Sequence, residues 1–273
     1  MTTSILRTID GWWVQTANGA ARIDTLATTT GGLLTDRTAI DAAVHRAHTV
    51  PVDRLRVISP VTVPCRVVAQ MTNFASHVKG APPHVKLLDY EVEIGLVIGR
   101  DIPVGTEITE SNLADFIAGL IVTNDVSARD VQLTKTRFYE AKSYPTFTPV
   151  GPALVLLDAD ELNRLGDLRL ELEVNGEVRQ NMLVHGDMIY PPLQALQSLA
   201  RFQRLGTGDL VMTGTPVGTA LGAPPRPPEV EAFLKREASN PKYLQHGDVL
   251  ELSIATNDGA IDLGTQRTAV RYA

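Results

Sequence analysis

The sequence predicts a mixed-β fold, either a β-sandwich or a rolled sheet, preceded by a small N-terminal unit. Short β-type segments recur from Cys65 onward, and tight-turn signals such as Asn175-Gly176 separate some of them. In that region only Leu193–Leu205 shows clear helical periodicity. Strands this numerous with so few helices argue against a doubly wound parallel sheet.

Residues 1–60 are expected to form a small α/β domain of their own. Its strands are predicted at Ile5–Ile9, Trp12–Thr16 and Ala20–Asp24. Asp36 is expected to cap a helix that continues to about His48. The proline-punctuated segment Arg54–Pro64 is interpreted as the junction to a second domain, which covers residues 61–273.

The larger domain is predicted to be mostly strand. Its strand candidates are Arg66–Gln70, Tyr90–Ile98, Ile117–Thr123, Ala153–Leu157, Arg169–Val174, Glu177–Met182, Leu210–Thr213, Val249–Ile254, Ala260–Leu263 and Gln266–Val270. The proline-rich stretch from Gly222 to Pro228 is expected to be an exposed loop.

Composition narrows the possible functions. The chain of 273 residues has 25 Lys and Arg against 31 Asp and Glu, a net charge of −6, which disfavours binding to nucleic acid or to an anionic membrane. The single cysteine, Cys65, excludes an internal disulfide and a multi-thiolate metal site. With neither a signal-peptide pattern nor an apolar stretch of membrane-spanning length, a cytoplasmic protein is expected.

The segment Tyr90–Gly99 carries the first chemical signal. On a strand, alternate residues share a face, so Glu91 and Glu93 point away from an apolar face of Tyr90, Val92, Ile94, Leu96 and Ile98. One interpretation is a half-buried strand with a polar face toward solvent. The other interpretation is that this face lines a binding site, because the non-polar residues Gly95 and Val97 follow the two glutamates on the same face.

A second acidic cluster contains Asp125 and follows another buried-type strand. If Asp125 approaches Glu91 and Glu93, carboxylates about 5 Å apart repel by roughly 3 kcal/mol per pair at an effective dielectric near 20. Such a cluster needs a cation. An all-oxygen set favours Mg²⁺, with Mn²⁺ or Ca²⁺ as alternatives, and disfavours zinc.

Seven short tracts of the sequence carry a more specific signal when they are taken together. They are Asn73-Phe74-Ala75-Ser76-His77, Asp89-Tyr90-Glu91-Val92-Glu93, Asn124-Asp125-Val126-Ser127-Ala128-Arg129-Asp130-Val131-Gln132, Ala141-Lys142-Ser143-Tyr144, Thr148-Pro149-Val150-Gly151-Pro152, Gly186-Asp187-Met188-Ile189 and Gly208-Asp209-Leu210-Val211-Met212-Thr213-Gly214-Thr215-Pro216. Together these tracts resemble the fumarylacetoacetate hydrolase superfamily, in particular its acylpyruvase and isomerase-like branch, and the resemblance extends in that family's order from about Val67 to Val270.

The resemblance implies a mixed-β roll with a small N-terminal domain, commonly assembled as a homodimer. It assigns Glu91, Glu93 and Asp125 as Mg²⁺ ligands, His77 as general base, and Lys142 as the group that stabilises developing negative charge. The polar residues implied around substrate and metal are Arg129, Gln132, Thr215 and Tyr144. Arg129 could instead form a structural ion pair with Asp125 or Asp130.

Two features depart from the family pattern. Many members carry a glutamate three residues after the catalytic histidine, where this chain has Gly80, so the orientation of His77 is less well fixed. The stretch between His77 and Glu91 is also short, as is part of residues 222–241, so either the family's lid is lost or its residues are missing from the sequence.

The leading prediction is a Mg²⁺-dependent hydrolase that cleaves a C–C bond in an acylpyruvate-like or 1,3-diketo acid through a metal-bound enolate, with aromatic-compound breakdown as the expected context. The rival is 2-oxo acid decarboxylation, or isomerisation of a 2-hydroxy-dienoate, at the same site. The absent glutamate favours this rival. A third alternative is a non-catalytic protein that binds a metal and small acids, which the presence of Lys142 with all three ligands disfavours.

Overall fold

The structure is a computed structural model that describes residues 2–69, 87–135, 138–221 and 229–272. Its strands are β1 Thr3–Thr8, β2 Gly11–Thr16, β3 Gly19–Arg22, β4 Val67–Ala69, β5 Leu88–Asp89, β6 Val92–Ile98, β7 Ile117–Asn124, β8 Ser127–Ala128, β9 Leu154–Leu156, β10 Leu168–Val174, β11 Glu177–Leu183, β12 Leu210–Met212, β13 Val249–Thr256 and β14 Asp262–Ala269. Its α-helices are α1 Thr30–Thr35, α2 Arg37–Val44, α3 Arg129–Lys135, α4 Phe138–Lys142, α5 Ala159–Leu162, α6 Pro192–Ala200 and α7 Val230–Glu237.

The strands form a mixed-β architecture with several sheets, as predicted. The largest has eight strands in the order β3-β2-β1-β9-β7-β6-β12-β4, and the second has four in the order β11-β10-β13-β14. Strands β5 and β8 form a short antiparallel pair of their own; in the chain, β5 comes just before β6 and β8 comes just after β7. Among the described residues, no helix is long and apolar enough to cross a membrane.

The N-terminal strands are part of the large sheet. Strand β1 pairs antiparallel with β9, so the hairpin strands β2 and β3 extend the same sheet that contains β6 and β7. The predicted boundary at residue 60 therefore divides a continuous hydrogen-bonded sheet. Whether residues 1–60 behave as a domain of their own stays a prediction.

Strand β6 is buried on both faces. Its apolar residues Val92, Ile94, Leu96 and Ile98 belong to the main core, which they share with inward-facing residues of β10 and β13. The opposite face, represented by Val97, packs on a second cluster that includes residues of β1, β2 and helix α1. The polar-face-to-solvent interpretation of this strand is therefore wrong, because Glu91, Glu93 and Val97 are all buried.

Several element boundaries differ from the predictions. Helix α2 ends at Val44, and the Asp36 carboxylate accepts a hydrogen bond from Thr25 instead of capping the helix. Helix α6 ends at Ala200, which leaves Phe202 70% exposed. The two strands expected near the C-terminus are a single strand, β14, and short helices occur that the periodicity did not indicate, at α1, α3, α4, α5 and α7.

Candidate metal centre

The three predicted metal ligands converge in the structure. Glu91, Glu93 and Asp125 each present a carboxylate oxygen, and these oxygens all lie within 4.8 Å of one another. All three residues are buried, with exposures of 2%, 1% and 5%. An all-carboxylate donor set at this spacing fits a hard divalent cation, so the expected convergence of Asp125 on the two glutamates is confirmed.

Strand pairing brings Asp125 to the glutamates. Val92 of β6 pairs with Asn124, the last residue of β7, so the residue that follows β7 lies beside Glu91. The Asp125 amide donates to the Glu91 carbonyl oxygen at 2.9 Å, and the Asn124 side chain accepts from the Glu91 amide at 3.0 Å. These bonds fix the backbone of two proposed ligands relative to each other.

Glu93 is held from the other side of β6. Its Oε2 accepts a hydrogen bond of 2.8 Å from the backbone amide of Gly214, just beyond β12. Gly214 has φ +85°, a backbone conformation that glycine adopts readily and that turns its amide toward the carboxylate.

Lys142 bridges two of the three carboxylates. It is the last residue of helix α4, and its Nζ donates to Glu91 Oε2 at 2.5 Å and also to Asp125 Oδ2. Burial opposes its charge, but the carboxylates of Glu91 and Asp125 outweigh burial and raise the pKa of Lys142. Lys142 is therefore cationic at neutral pH.

Arg129 supports Glu91 from behind. Its guanidinium donates to Asp89 Oδ2 at 2.8 Å, to Gln132 Oε1 at 3.0 Å, and to Glu91 Oε1. The side chain is 2% exposed; although burial opposes its charge, Glu91 and Asp89 raise the pKa of Arg129. The ion pairs of Arg129 thus run to Asp89 and Glu91, instead of the partners considered from sequence.

The charges of this cluster do not balance. Asp89, Glu91, Glu93 and Asp125 face the two cations Lys142 and Arg129, an excess of two negative charges when all six groups are ionised. Burial, with the neighbouring carboxylates, raises the pKa of Glu93 well above its usual range, and burial also raises that of Asp125. The cluster therefore favours uptake of a divalent cation or of protons.

The other predicted site residues differ in how they relate to the carboxylate cluster. Gln132 is buried and contacts the cluster through Arg129. The Thr215 hydroxyl donates to the Val92 carbonyl oxygen at 2.9 Å. The Tyr144 hydroxyl donates to Glu140 at 3.3 Å, and its ring packs edge-on against Phe147. Their substrate-binding roles stay predictions, as does that of Arg129.

His77 and Gly80 lie outside the described residues, as does the predicted exposed loop from Gly222 to Pro228. The role of His77 as general base therefore stays a prediction.

Sequence reasoning gave no role to Asp89 or Gln180, which both contact the site. Besides Arg129, Asp89 accepts from the amides of Ala220 and Leu221 at 2.8 and 3.2 Å. Because Asp89 lies two residues before Glu91, the sequence could have indicated that it also lies near the site. Gln180 lies in β11, where nothing in the local pattern indicates that its side chain reaches another sheet.

The chain also matches a known family along most of its length. Residues 43–271 match the family model described as Fumarylacetoacetate (FAA) hydrolase C-terminal. The chain belongs to this family. The members described below are enzymes, so the observed sheets and acidic cluster belong to an enzyme fold.

Two relatives are named for the same activity. Oxaloacetate tautomerase YisK of Bacillus subtilis is 33% identical over 196 residues, which cover 72% of this chain and 56% of the relative. Oxaloacetate tautomerase Fahd2a, mitochondrial, of Rattus norvegicus is 30% identical over 235 residues, covering 75% of this chain and 68% of the relative. This chain thus spans little more than half the length of the Bacillus protein.

Solved structures share the fold over nearly the whole chain. A probable 2-hydroxyhepta-2,4-diene-1,7-dioate isomerase from Mycobacterium abscessus has a TM-score of 0.73 and 26% identity, covering 99% of this chain and 98% of its own. Maleylpyruvate hydrolase from Sphingobium sp. SYK-6, in complex with manganese(II) and pyruvate, has a TM-score of 0.72 and 20% identity, with 98% of both chains covered.

Proposed function

We propose that this protein is a divalent-metal-dependent enzyme that interconverts the keto and enol forms of a 2-oxo dicarboxylic acid such as oxaloacetate. The convergence of Glu91, Glu93 and Asp125, with two more negative than positive charges in the buried cluster, carries the proposal. A bound Mg²⁺, or Mn²⁺ in its place, supplies Lewis-acid polarisation of a carbonyl oxygen. The manganese in the structurally similar hydrolase supports a divalent ion.

The chain's own residues would hold the charge that develops in this reaction. Lys142, fixed as an ammonium by Glu91 and Asp125, stabilises negative charge on a substrate oxygen that reaches the carboxylate cluster. Arg129 holds the Glu91 carboxylate in place from its buried side. With its raised pKa, Lys142 acts as a fixed positive charge and leaves proton abstraction to another group, for which His77 is our candidate.

Tautomerisation suits the chain better than hydrolysis for two reasons. Both relatives at 30% identity or more described above carry the name oxaloacetate tautomerase. The reaction also moves one proton from carbon to oxygen and needs no attacking water. This fits a chain in which Gly80 stands where many family members place the glutamate that supports water activation.

Hydrolysis of a C–C bond in an acylpyruvate-like or 1,3-diketo acid is the second candidate. The family's name and the maleylpyruvate hydrolase with the same fold favour it, because the same cluster would stabilise an enolate leaving group. Decarboxylation of a 2-oxo acid and isomerisation of a 2-hydroxy-dienoate use the same charge stabilisation. A cytoplasmic location and a homodimer belong to this proposal as well.

A single set of assays separates these reactions. The enol form of oxaloacetate is mixed with enzyme and Mg²⁺ or Mn²⁺, and loss of enol absorbance is compared with the rate in buffer alone. NMR of the products detects pyruvate from decarboxylation, and the two acids released from an acylpyruvate by hydrolysis. We expect metal-dependent acceleration of enol loss without C–C cleavage.

Glu93→Gln should abolish that acceleration, whereas Glu171→Gln, on a strand outside the cluster, should retain it. Acylpyruvate cleavage without faster tautomerisation would replace the first candidate with the second. Full activity after removal of divalent metal by a chelator would contradict both.

A further inference from the structure

Strand β12 leaves the large sheet directly beside the proposed metal ligands. Met212 pairs with Gly95, and the Thr213 amide donates to the Ile94 carbonyl oxygen at 3.1 Å. At Gly214 the chain turns away, and that amide bonds to the Glu93 carboxylate. Val92 lies two residues before Ile94 on the same edge of β6, so its amide and carbonyl face a position that the β12 ladder does not reach.

Side chains complete the ladder at this position. The Val92 amide donates to Gln180 Oε1 at 3.1 Å, and the Val92 carbonyl oxygen accepts from the Thr215 hydroxyl at 2.9 Å. Gln180 Nε2 closes the network by donating to Thr215 Oγ1 at 2.9 Å and to the Pro216 carbonyl oxygen at 2.8 Å. Gln180 and Thr215 are 1% and 2% exposed.

We propose that Gln180 is a positioning residue for the metal site, acting with Thr215 through the backbone of Val92. Val92 is the residue between Glu91 and Glu93, so the orientation of its two peptide groups sets where both carboxylates point. Gln180 belongs to β11 of the four-stranded sheet, and it therefore holds the first residue of β6 against the opposite sheet. The inference rests on the metal site of the proposed function.

The hydrogen bonds of Gln180 and Thr215 favour this positioning role over a direct contact of either side chain with substrate. Both amide hydrogens of Gln180 are used, by Thr215 and Pro216, and the single hydroxyl hydrogen of Thr215 is used by Val92. Neither side chain has a further hydrogen to donate to a ligand. Gln180 thus acts through Val92, in the way that residues behind metal ligands fix ligand orientation.

The test measures Mn²⁺ affinity by calorimetric titration and by the Mn²⁺ spin-resonance signal, which do not depend on turnover. Gln180→Met keeps the length of the side chain and removes all three hydrogen bonds. Because residues behind metal ligands typically contribute about 10–100-fold to metal affinity, we expect Mn²⁺ to bind Gln180→Met weaker by about that factor. Thr215→Val should have a similar effect, and Thr215→Ser, which keeps the hydroxyl, should restore affinity.

The matched control is Gln197→Met. Gln197 also donates its amide to a backbone carbonyl, that of Ile108 at 2.8 Å, but its bond does not join the Val92 network. This variant removes one hydrogen bond instead of three, so it should lose less stability, and it should keep its Mn²⁺ affinity. The double variant Gln180→Met/Thr215→Val should weaken binding by less than the product of the single effects, because both changes break one network.

The outcomes separate this inference from the proposed reaction. If Gln180→Met does not fold, Thr215→Val tests the same network. Folded Gln180→Met and Thr215→Val proteins with wild-type Mn²⁺ affinity would overturn the positioning role. Affinity that falls as expected in a protein that accelerates no 2-oxo acid reaction would support the positioning role and refute the proposed reaction. A wild-type protein that binds no Mn²⁺ would refute both.

Discussion

Two glutamates separated by one apolar residue occur both at the start of β6, where Glu91 immediately precedes the strand, and within β10. Glu91 and Glu93 at the start of β6 are buried, whereas Glu171 and Glu173 on β10 are half-buried and accompany surface polar groups such as Asn181. The apolar residue between them, Val92 or Leu172, enters the main core in both cases. The two strands therefore have the same local pattern and different surroundings.

The difference comes from what covers the acidic face. At the start of β6 the carboxylates are buried next to Arg129 of helix α3 and Lys142 of helix α4, whereas Val97, farther along the same face, packs in the second apolar cluster. On β10 the burial alternates regularly, which is typical of a strand with one face toward solvent. The acidic pair of β6 is our proposed metal site because it is buried together with Asp125 and the two cations Lys142 and Arg129.

The largest effect is expected when one of those cations is removed. Arg129→Met leaves Asp89 and Glu91 buried without their shared partner, and breaking such a buried pair typically costs about 3–5 kcal/mol. The control on the exposed face of the four-stranded sheet is Arg267→Met, whose 2.8 Å pair with Glu251 should contribute only about 0–1 kcal/mol. Urea unfolding of both variants measures the difference, and equal losses would contradict the comparison.

The two glutamate pairs should differ next in metal binding. Glu93→Gln should weaken Mn²⁺ binding by more than the roughly 10–100-fold typical of residues behind a metal ligand, since it removes a proposed ligand itself. It should not destabilise the protein without metal, because it reduces an excess of buried negative charge. Glu171→Gln should leave Mn²⁺ affinity unchanged in the same titration; a similar loss there would mean that burial does not define the site.

A smaller effect tests how tightly the neighbouring strands β7 and β12 pack around β6. A Cβ atom at Gly95 would lie 2.8 Å from side-chain atoms of Ile121, Leu210 and Thr123. Gly95→Ala should therefore cost about 1–3 kcal/mol through overpacking. Gly176→Ala tests the effect of an added methyl at a turn next to β10, where no atom lies within 4 Å, although its φ of +78° adds backbone strain. Unfolding by urea that shows no loss of stability for Gly95→Ala would indicate loose packing between β6 and these two strands.

The smallest expected effect is on pH dependence. The raised pKa values of Glu93 and Asp125 mean that the folded protein without metal holds protons that the unfolded chain has released. Stability from these groups is present at low pH and is lost as pH rises through their raised pKa values. Metal binding must displace those protons, so the increase in Tm on adding Mn²⁺ should grow by about a few degrees from pH 5 to pH 7.5. Glu93→Gln should flatten this dependence, and an increase in Tm that shrinks with pH would contradict it.

Sequence alone was sufficient for much of the strand content and for the residues of the acidic cluster. Alternation along Tyr90–Ile98 placed Val92 and Ile94 in the core, because local pattern records which side chains share a face. The resemblance to the family indicated Asp125 as the third member of the cluster, and the three carboxylates do converge. Helix ends were less well predicted. Helix α6 stops at Ala200 although apolar residues continue at helical spacing, since the chain must reach Leu205 for its bridge with Ile102.

The tertiary structure alone decided which acidic pair is buried and how it is held. Nothing near Glu177–Leu183 indicates that Gln180 crosses to Val92 in the other sheet, and nothing near Arg129 shows that it pairs with Asp89 and Glu91. These contacts join residues distant in the chain. Burial and charge pairing depend on which elements pack together, whereas the alternation of a strand depends only on its own residues.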